Sequence, residues 1–227
     1  SIDTPDGNAI NLGLREKGWK LSHILNTHHH IDHTEANLQL KEEWKCTIVG
    51  AKNDAERIPG VDVEVSDCEE FTFGSTQARV IEVPGHTSGH IAFYFASENI
   101  VFVGDTLFAL GCGRLFEGTP SMMWRSLQKL MTLPDETTVY CGHEYTQANA
   151  KFALTIEPNN QKLIARSKKI NELRARNDPT IPTTIGLERA TNPFVRPQSK
   201  NVQTTLGLNN ADALTVFTKI RKLKDDF

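Results

Sequence analysis

The segment THHHIDH at residues 27–33 is the most informative part of this 227-residue chain, because it follows, after Asn26, a run at 21–25 that is typical of a strand. In an extended segment, residues two apart face the same side, so His28 and His30 can converge on one point while His29 turns aside. Where the chain bends toward the next predicted helix, Asp32 and His33 come onto a second, adjacent point. The segment therefore predicts four ligands for two neighbouring metal ions.

Ligand-type side chains also follow three other predicted strands, at 78–83, 100–103 and 137–141. His86, Asp105 and His143 each come directly after a glycine, which lets the backbone turn tightly next to a site. Imidazole and carboxylate ligands together suit zinc, iron or manganese. We predict one ion on His28, His30 and His86, a second on Asp32, His33 and His143, and a bridging Asp105 between them.

Each of these residues also has an ordinary structural explanation. A lone histidine is usually a surface or core residue, Asp32 and Glu35 have the spacing of a capping box, and a histidine run can be an expression tag. Here the run is internal and irregular, and it shares the chain with other ligand-type residues after strands, which favours the metal site. The remaining histidines are predicted to be structural or to hold the ligands from outside: His23, His29 and His90.

Composition excludes several classes of protein. The chain has 25 basic and 28 acidic residues, a net charge of −3, which argues against a nucleic-acid binder. No apolar run approaches the roughly 18 residues that a bilayer crossing needs. Its four cysteines are far apart and form no CxxC pair, which is typical of a reducing compartment. We expect a cytoplasmic or mitochondrial monomer with no membrane or nucleic-acid partner, whose leader is not visible in this sequence.

The charge balance divides the chain into two units. Residues 1–160 hold 12 basic and 22 acidic side chains, whereas residues 161–227 hold 13 and 6. Helical spacing is found at 34–44 and 121–131 in the first unit, and at 161–177 and 212–224 in the second. We predict a metal-binding domain at 1–160, which opens with the end of a strand and a turn at 4–7, and a basic helical domain at 161–227.

Four motifs in order carry a resemblance to a known family: THHHIDH at 27–33, PGHTSGH at 84–90, GDTLF with GCGRLFEGT between 104 and 119, and YCGHEYT at 140–146. The chain resembles glyoxalase II, the hydroxyacylglutathione hydrolases of the metallo-β-lactamase superfamily. The resemblance implies an α+β fold, an αββα sandwich followed by a small helical glutathione-binding domain. It also implies two divalent metal ions per chain, with zinc preferred and iron or manganese as alternatives.

The same resemblance implies which residues bind substrate. They are Arg114, Phe116, Tyr145, Arg221 and Lys224. Arg114 stands where many members have lysine, a change that preserves the charge. Phe116 stands where some members have tyrosine, so one hydroxyl contact is lost or replaced and we expect weaker glutathione binding. Members also begin with one more hairpin before the segment matching Ile2-Asp3, so the first domain is expected to lack it. Asp3 is either a partner of a ligand histidine or a turn residue.

The expected reaction is hydrolysis of S-D-lactoylglutathione and related 2-hydroxyacyl-glutathione thioesters to D-lactate and glutathione, the second step of methylglyoxal detoxification. A hydroxide bridging the two ions would attack the thioester carbonyl, with Asp32 and Asp105 as the catalytic carboxylates. Three cationic residues, Arg114 and, in the tail, Arg221 and Lys224, would hold the carboxylates of glutathione.

Other activities are possible for such a motif. A glutathione persulfide dioxygenase with a single iron is the nearest alternative, although the FEGT segment and the basic tail argue against it. A flavo-diiron protein would be expected to have glutamate in place of His30. Nucleic-acid processing is disfavoured by the acidic first unit, and a non-catalytic metal-binding protein by the complete ligand set.

Overall fold

Two β-sheets form the centre of the structure, a computed structural model that describes residues 1–227 except for the side chain of residue 73. The strands are β1 His23–Leu25, β2 Thr47–Ala51, β3 Val63–Val65, β4 Glu70–Phe73, β5 Thr76–Glu82, β6 Ile91–Phe95, β7 Ile100–Gly104, β8 Leu107–Phe108, β9 Gly111–Cys112, β10 Thr138–Cys141 and β11 Thr183–Thr184. The helices are α1 Gly7–Lys17, α2 Ile31–Thr34, α3 Asn37–Trp44, α4 Pro120–Leu130, α5 Thr146–Ile156, α6 Gln161–Ala175, α7 Ile185–Thr191, α8 Lys200–Leu206 and α9 Ala213–Asp225.

The first sheet is parallel, in the order β1-β2-β3, and Ile2 extends it through a bridge to Leu25. The second sheet has the order β11-β10-β7-β6-β5-β4, and its pairs are antiparallel apart from the parallel pair β10–β7. The predicted strands at 21–25, 78–83, 100–103 and 137–141 are therefore confirmed to within a few residues. All four strands end at the same edge of the molecule. The ligand-type residues that follow them therefore lie at that edge together.

The two sheets pack face to face, and β6 shows how the sequence produces this. All five of its residues are buried, because a strand in the middle of a layered structure is covered on both faces. Ile91, Phe93 and Phe95 belong to the core between the sheets, whereas Ala92 and Tyr94 belong to the core on the outer face. Helices α1 and α3 cover the outer face of the first sheet, and α4, α5 and α9 cover that of the second. The α+β class and the αββα sandwich are confirmed.

The helix predicted at 34–44 is interrupted. The carbonyl of His33 accepts a hydrogen bond from the backbone N–H of Thr4 at 2.8 Å, where a continuous helix would use the N–H of residue 37. The N–H of Ala36 in turn donates to the carbonyl of Thr4 at 3.0 Å. The N-terminal segment thus replaces two intrahelical hydrogen bonds, and α2 ends at Thr34. The turn predicted at 4–7 leads into α1, whose first N–H groups are capped by Asp6.

The C-terminal helices are held by apolar packing and by a buried carboxylate. Helices α5 and α6 share a core cluster with Leu110. Glu157 is 1% exposed, and it accepts hydrogen bonds from Arg196 at 2.9 Å, Ser199 at 2.8 Å and Asn160 at 3.2 Å. Burial opposes ionisation of Glu157, but these hydrogen bonds together outweigh it and hold its pKa below the ordinary value.

The expected division of the chain at residue 160 stays a prediction.

Within the described part of the chain, no helix combines the length and the apolar character that a membrane crossing requires. All four cysteines of the described structure are free.

Candidate metal centre

The structure brings the seven predicted ligand residues together at one edge of the sandwich. Their segments come from both sheets: two ligands follow β1, two lie on α2, and the others follow β5, β7 and β10. The seven are His28, His30, Asp32, His33, His86, Asp105 and His143. Three overlapping sets of these side chains place their ligand atoms within 4.8 Å of one another, which is the spacing that a metal ion needs.

The first set contains His28, His30 and His86. Nδ1 of His30 lies 3.1 Å from Nε2 of His28 and 3.1 Å from Nε2 of His86. His28 is fully buried and His86 nearly so, whereas His30 is partly exposed to the cavity described below. Three ring nitrogens therefore meet at one point across the boundary between the two sheets.

The second set contains Asp32, His33 and His143. Nε2 of His143 lies 3.3 Å from both Nε2 of His33 and Oδ2 of Asp32. Asp105 lies between the two sets, with Oδ2 at 3.6 Å from Nε2 of His86 and at 3.4 Å from Nε2 of His143. Its buried Oδ1 has no hydrogen-bond partner among the described residues, which suits a ligand atom.

Acceptors outside the centre orient the imidazoles. Nδ1 of His33 lies 2.7 Å from Oδ2 of Asp3, and Nδ1 of His86 lies 2.9 Å from the carbonyl oxygen of Arg114. Because a carboxylate and a carbonyl only accept, both histidines carry the proton on Nδ1 and turn Nε2 toward the centre. The hydroxyl of Thr27 donates to Asp3 and thereby leaves its oxygen to accept from Nδ1 of His28 at 3.1 Å.

The three other histidines lie outside the three ligand sets. His90 is fully buried and stacks on His28 with centroids 4.6 Å apart, and its Nε2 accepts a hydrogen bond from the backbone N–H of Asp105. Burial lowers the pKa of His90 to about 3. His29 lies between the carboxylates of Asp54 and Glu117, on the outer side of the centre. His23 lies at the start of β1, away from the other histidines, with its ring against that of Phe71.

Electrostatics divides the ligands into two kinds. Burial, reinforced by neighbouring imidazoles, holds the pKa of His28 far below its ordinary value, so its lone pair is available at neutral pH. The hydrogen bond to Asp105 raises the pKa of His143, and the pKa of His33 is raised by its carboxylate neighbours in spite of burial. Burial opposes ionisation of Asp105, but its contacts with the histidines lower its pKa overall. A cation binding here would displace protons from His33 and His143.

These side chains fit divalent metal ions on chemical grounds. The Nε2 atoms of three histidines are turned inward, an ionised carboxylate lies between the two sets, and one of its oxygens accepts no hydrogen bond among the described residues. Sites of imidazole and carboxylate ligands bind zinc, iron and manganese.

Comparison with known proteins agrees with this geometry. The family profile of the metallo-beta-lactamase superfamily matches residues 2–143, and the profile of the hydroxyacylglutathione hydrolase C-terminus matches residues 144–227. A hydroxyacylglutathione hydrolase from Methylococcus capsulatus is 52% identical over 227 residues, which are 100% of this chain and 89% of the relative. The chain belongs to the hydroxyacylglutathione hydrolase family.

Solved structures show the same fold at lower identity. ETHE1 from Myxococcus xanthus superimposes with a TM-score of 0.68 at 27% identity, over 97% of this chain and 78% of that one. TTHA1623 in a di-iron-bound form superimposes with a TM-score of 0.61 at 27% identity, over 85% of this chain and 87% of that one. These comparisons confirm the metallo-β-lactamase fold that the resemblance implied.

A cavity of about 560 Å³ opens onto the metal centre of this hydroxyacylglutathione hydrolase family member. All five residues that the sequence assigned to substrate line it, together with five of the metal-ligand candidates. The substrate-binding candidates are Arg114, Phe116, Tyr145, Arg221 and Lys224; the ligand candidates are His30, Asp32, His86, Asp105 and His143. Residues from both family profiles therefore form one continuous surface.

The sequence did not indicate several residues of this surface. Phe108, Cys112 and Asn149 also line the cavity. Asn149 donates to the carbonyl of Ala109 at 3.1 Å and lies against Gly111, so it holds the β8–β9 hairpin in place. Phe108 and Cys112 lie within the GDTLF and GCGRLFEGT motifs, but these motifs alone assign them no role at the substrate site. No motif marks Asn149, because its role depends on a contact with Ala109, 40 positions away.

Proposed function

We propose that this chain is a thioester hydrolase that converts S-D-lactoylglutathione, and related 2-hydroxyacyl-glutathiones, to the hydroxy acid and glutathione. This is the second step of methylglyoxal detoxification. The observation that carries the proposal is the single cavity that joins two sets of metal ligands to three cationic side chains, Arg114, Arg221 and Lys224. Metal ions held by the ligand sets could activate water for attack on a thioester, and the cationic side chains suit an anionic tripeptide.

The cationic side of the cavity suits glutathione, which carries two carboxylates and one ammonium. Burial and the nearby charges of Arg221 and Arg114 lower the pKa of Lys224. A bound carboxylate would relieve this repulsion, and each charge-assisted hydrogen bond would contribute about 1.5–3 kcal/mol. The weaker binding expected from phenylalanine at position 116 stays a prediction.

We further propose two divalent ions per chain, one on His28, His30 and His86, and one on Asp32, His33 and His143, with Asp105 shared. Zinc is the first candidate, with iron and manganese as alternatives; the similarity to TTHA1623, solved in a di-iron-bound form, supports the count. Ions held by these residues would lower the pKa of water toward neutrality and polarise a thioester carbonyl.

The chain's own side chains would orient the substrate above this centre. Tyr145 stacks on His143 with centroids 5.0 Å apart, and Phe116 lies edge-on to His86 at 5.1 Å. Both aromatic rings are half exposed or more at the mouth of the cavity. They would therefore flank the thioester, restrict the access of bulk water and keep the two imidazoles in their planes.

The persulfide dioxygenase remains the alternative activity. It has weaker support, because the full-length match at 52% identity and the C-terminal profile both carry the name hydroxyacylglutathione hydrolase. Oxygen uptake with glutathione persulfide, which a hydrolase would not show, separates the two.

The decisive experiment measures lactoylglutathione turnover and metal content on the same sample. A metal-loaded protein without turnover would refute the hydrolase. Asp105→Asn is expected to lose metal and turnover together, whereas Lys129→Met, on an exposed ion pair with Asp67, should keep both. Full activity of Asp105→Asn with two ions retained would show that Asp105 does not bridge.

A further inference from the structure

The first set of metal ligands straddles the boundary between the two sheets. His28 and His30 follow β1 of the first sheet, whereas His86 follows β5 of the second, and their ring nitrogens approach to 3.1 Å. The two sides of this boundary must therefore be held in register for the set to exist. The polar contacts on its outer side show what could hold them.

On the side of the first sheet, the carboxylate of Asp54 links the segments after β1 and β2. Nδ1 of His29 lies 3.0 Å from Oδ2 of Asp54, which follows β2 and is 1% exposed. The guanidinium of Arg57 binds the other oxygen of the same carboxylate. Asp54 also lies directly against Gly89 of the segment that carries His86, at a distance that leaves no room for a Cβ at position 89.

On the side of the second sheet, Glu117 links the segments after β5 and β9. Its Oε2 accepts from the backbone N–H and the hydroxyl of Ser88, each at 2.8 Å. The same two segments are joined by backbone hydrogen bonds from Phe116 and Glu117 to the carbonyl of His86. The carboxylate of Glu117 therefore belongs to the rigid unit that presents His86.

Arg57 and Glu117 close the connection across the boundary. Nη1 of Arg57 donates to Oε1 of Glu117 at 2.6 Å, Nη2 donates to the hydroxyl of Ser88 at 2.9 Å, and Nε2 of His29 lies 3.4 Å from Glu117. The four side chains His29, Asp54, Arg57 and Glu117 form a closed ring in which the two carboxylates alternate with the imidazole and the guanidinium. Isolated surface ion pairs contribute little, but here a fully buried carboxylate and a multidentate guanidinium fix the geometry.

We propose that Arg57 and Glu117 are positioning residues that clamp the two sheets together and so set the distance of His86 from His28 and His30. Neither residue lines the cavity or belongs to a ligand set. The clamp acts on metal affinity directly. Its effect on turnover rests on the proposed function.

The test is zinc affinity, measured by competition with a chromophoric chelator on the full chain, alongside thermal unfolding of the metal-free protein. Arg57→Met and Glu117→Gln are each expected to weaken zinc binding at the first set of ligands about tenfold, the lower end of the effect of residues that orient ligands. The double variant should lose about the same tenfold, because both changes open one ring. Arg57→Lys keeps the charge but not the planar set of donors, so it should recover only part of the affinity.

Lys129→Met is the matched control. The two ion pairs are alike in sequence separation, 62 positions for Lys129–Asp67 and 60 for Arg57–Glu117. They are also alike in exposure, with side chains 43% and 34% exposed in the first pair and 37% and 28% in the second. The control variant Lys129→Met should change zinc affinity less than twofold. Wild-type affinity in Arg57→Met and Glu117→Gln, or a loss near a hundredfold in the double variant, would overturn the proposal. Since zinc affinity needs no turnover, an inactive but zinc-binding wild type would reject the hydrolase and leave the clamp testable.

Discussion

Arg221 and Lys224 lie close together on α9 and line the same cavity, yet the structure predicts different effects of removing them. The side chain of Arg221 is 5% exposed. Nη1 donates to the carbonyl of Cys112 at 2.9 Å, Nη2 donates to Asp225 at 2.9 Å, and the guanidinium lies 5.0 Å from the centroid of Phe194. Arg221 therefore joins α9 to the β8–β9 hairpin as well as facing the cavity.

The cost of Arg221→Ala follows from these contacts. The charge-assisted hydrogen bond to a buried carbonyl contributes about 1.5–3 kcal/mol, the half-exposed pair with Asp225 about 0–1 kcal/mol, and the cation–π contact about 1 kcal/mol. We expect the free energy of unfolding to fall by about 4 kcal/mol. With a urea dependence of about 3 kcal/mol/M for a chain of this size, the urea midpoint should fall by about 1.3 M.

Lys224→Ala should behave differently, because Lys224 contacts only the faces of two rings, Phe152 at 5.3 Å and Phe227 at 5.1 Å, among the contacts described. Two such contacts contribute about 1–2 kcal/mol together, so we expect its urea midpoint to fall by no more than about 0.7 M. Loss of one charge-assisted hydrogen bond to glutathione should raise KM about tenfold to a hundredfold with little change in kcat.

The assay is urea unfolding of both variants, followed by tryptophan fluorescence, with KM and kcat for lactoylglutathione measured on the same preparations. A wild-type urea midpoint for Arg221→Ala would refute the structural role assigned to Arg221. An unchanged KM for Lys224→Ala would remove Lys224 from the substrate site.

Of three further predictions, two concern the metal centre and one concerns the C-terminal helices. Asp3→Ala removes the acceptor of His33, so zinc affinity should fall about 10–100-fold in chelator competition; unchanged affinity would make Asp3 a turn residue only. Gly142→Ala places a Cβ against Asp105 and His33, so it should abolish zinc binding at the second set while the circular dichroism spectrum stays native. The folded pKa of Glu157 lies below 4.5, so its contribution to stability is complete above pH 4.5 and is lost as the pH falls through the folded pKa. We therefore expect Glu157→Gln to lose less stability than wild type when urea unfolding is measured at falling pH below 4.5. If the stabilities of the two proteins fell in parallel with pH, Glu157 would not be the group that titrates.

Much of the centre could be predicted from the sequence because the information lies within short windows. The two-residue period of an extended segment puts His28 and His30 on one side, and glycines directly before His86, Asp105 and His143 allow each chain to turn at a strand end. The motifs then identify the family, and the basic tail indicates an anionic substrate. None of these inferences needs to know which strands are neighbours.

Tertiary structure alone decided how those side chains are held. Asp3 orients His33 from 30 positions away, Thr4 interrupts the predicted helix, and the Arg57–Glu117 contact spans 60 positions across the boundary between two sheets. Such contacts form when elements distant along the chain pack together, and each residue taken alone is as common on an ordinary surface as in a site. The amino-acid sequence thus determined the chemistry and the strand-end positions of the ligands, whereas packing of the two sheets and the C-terminal helices determined their orientation, because orientation depends on partners that no local pattern specifies.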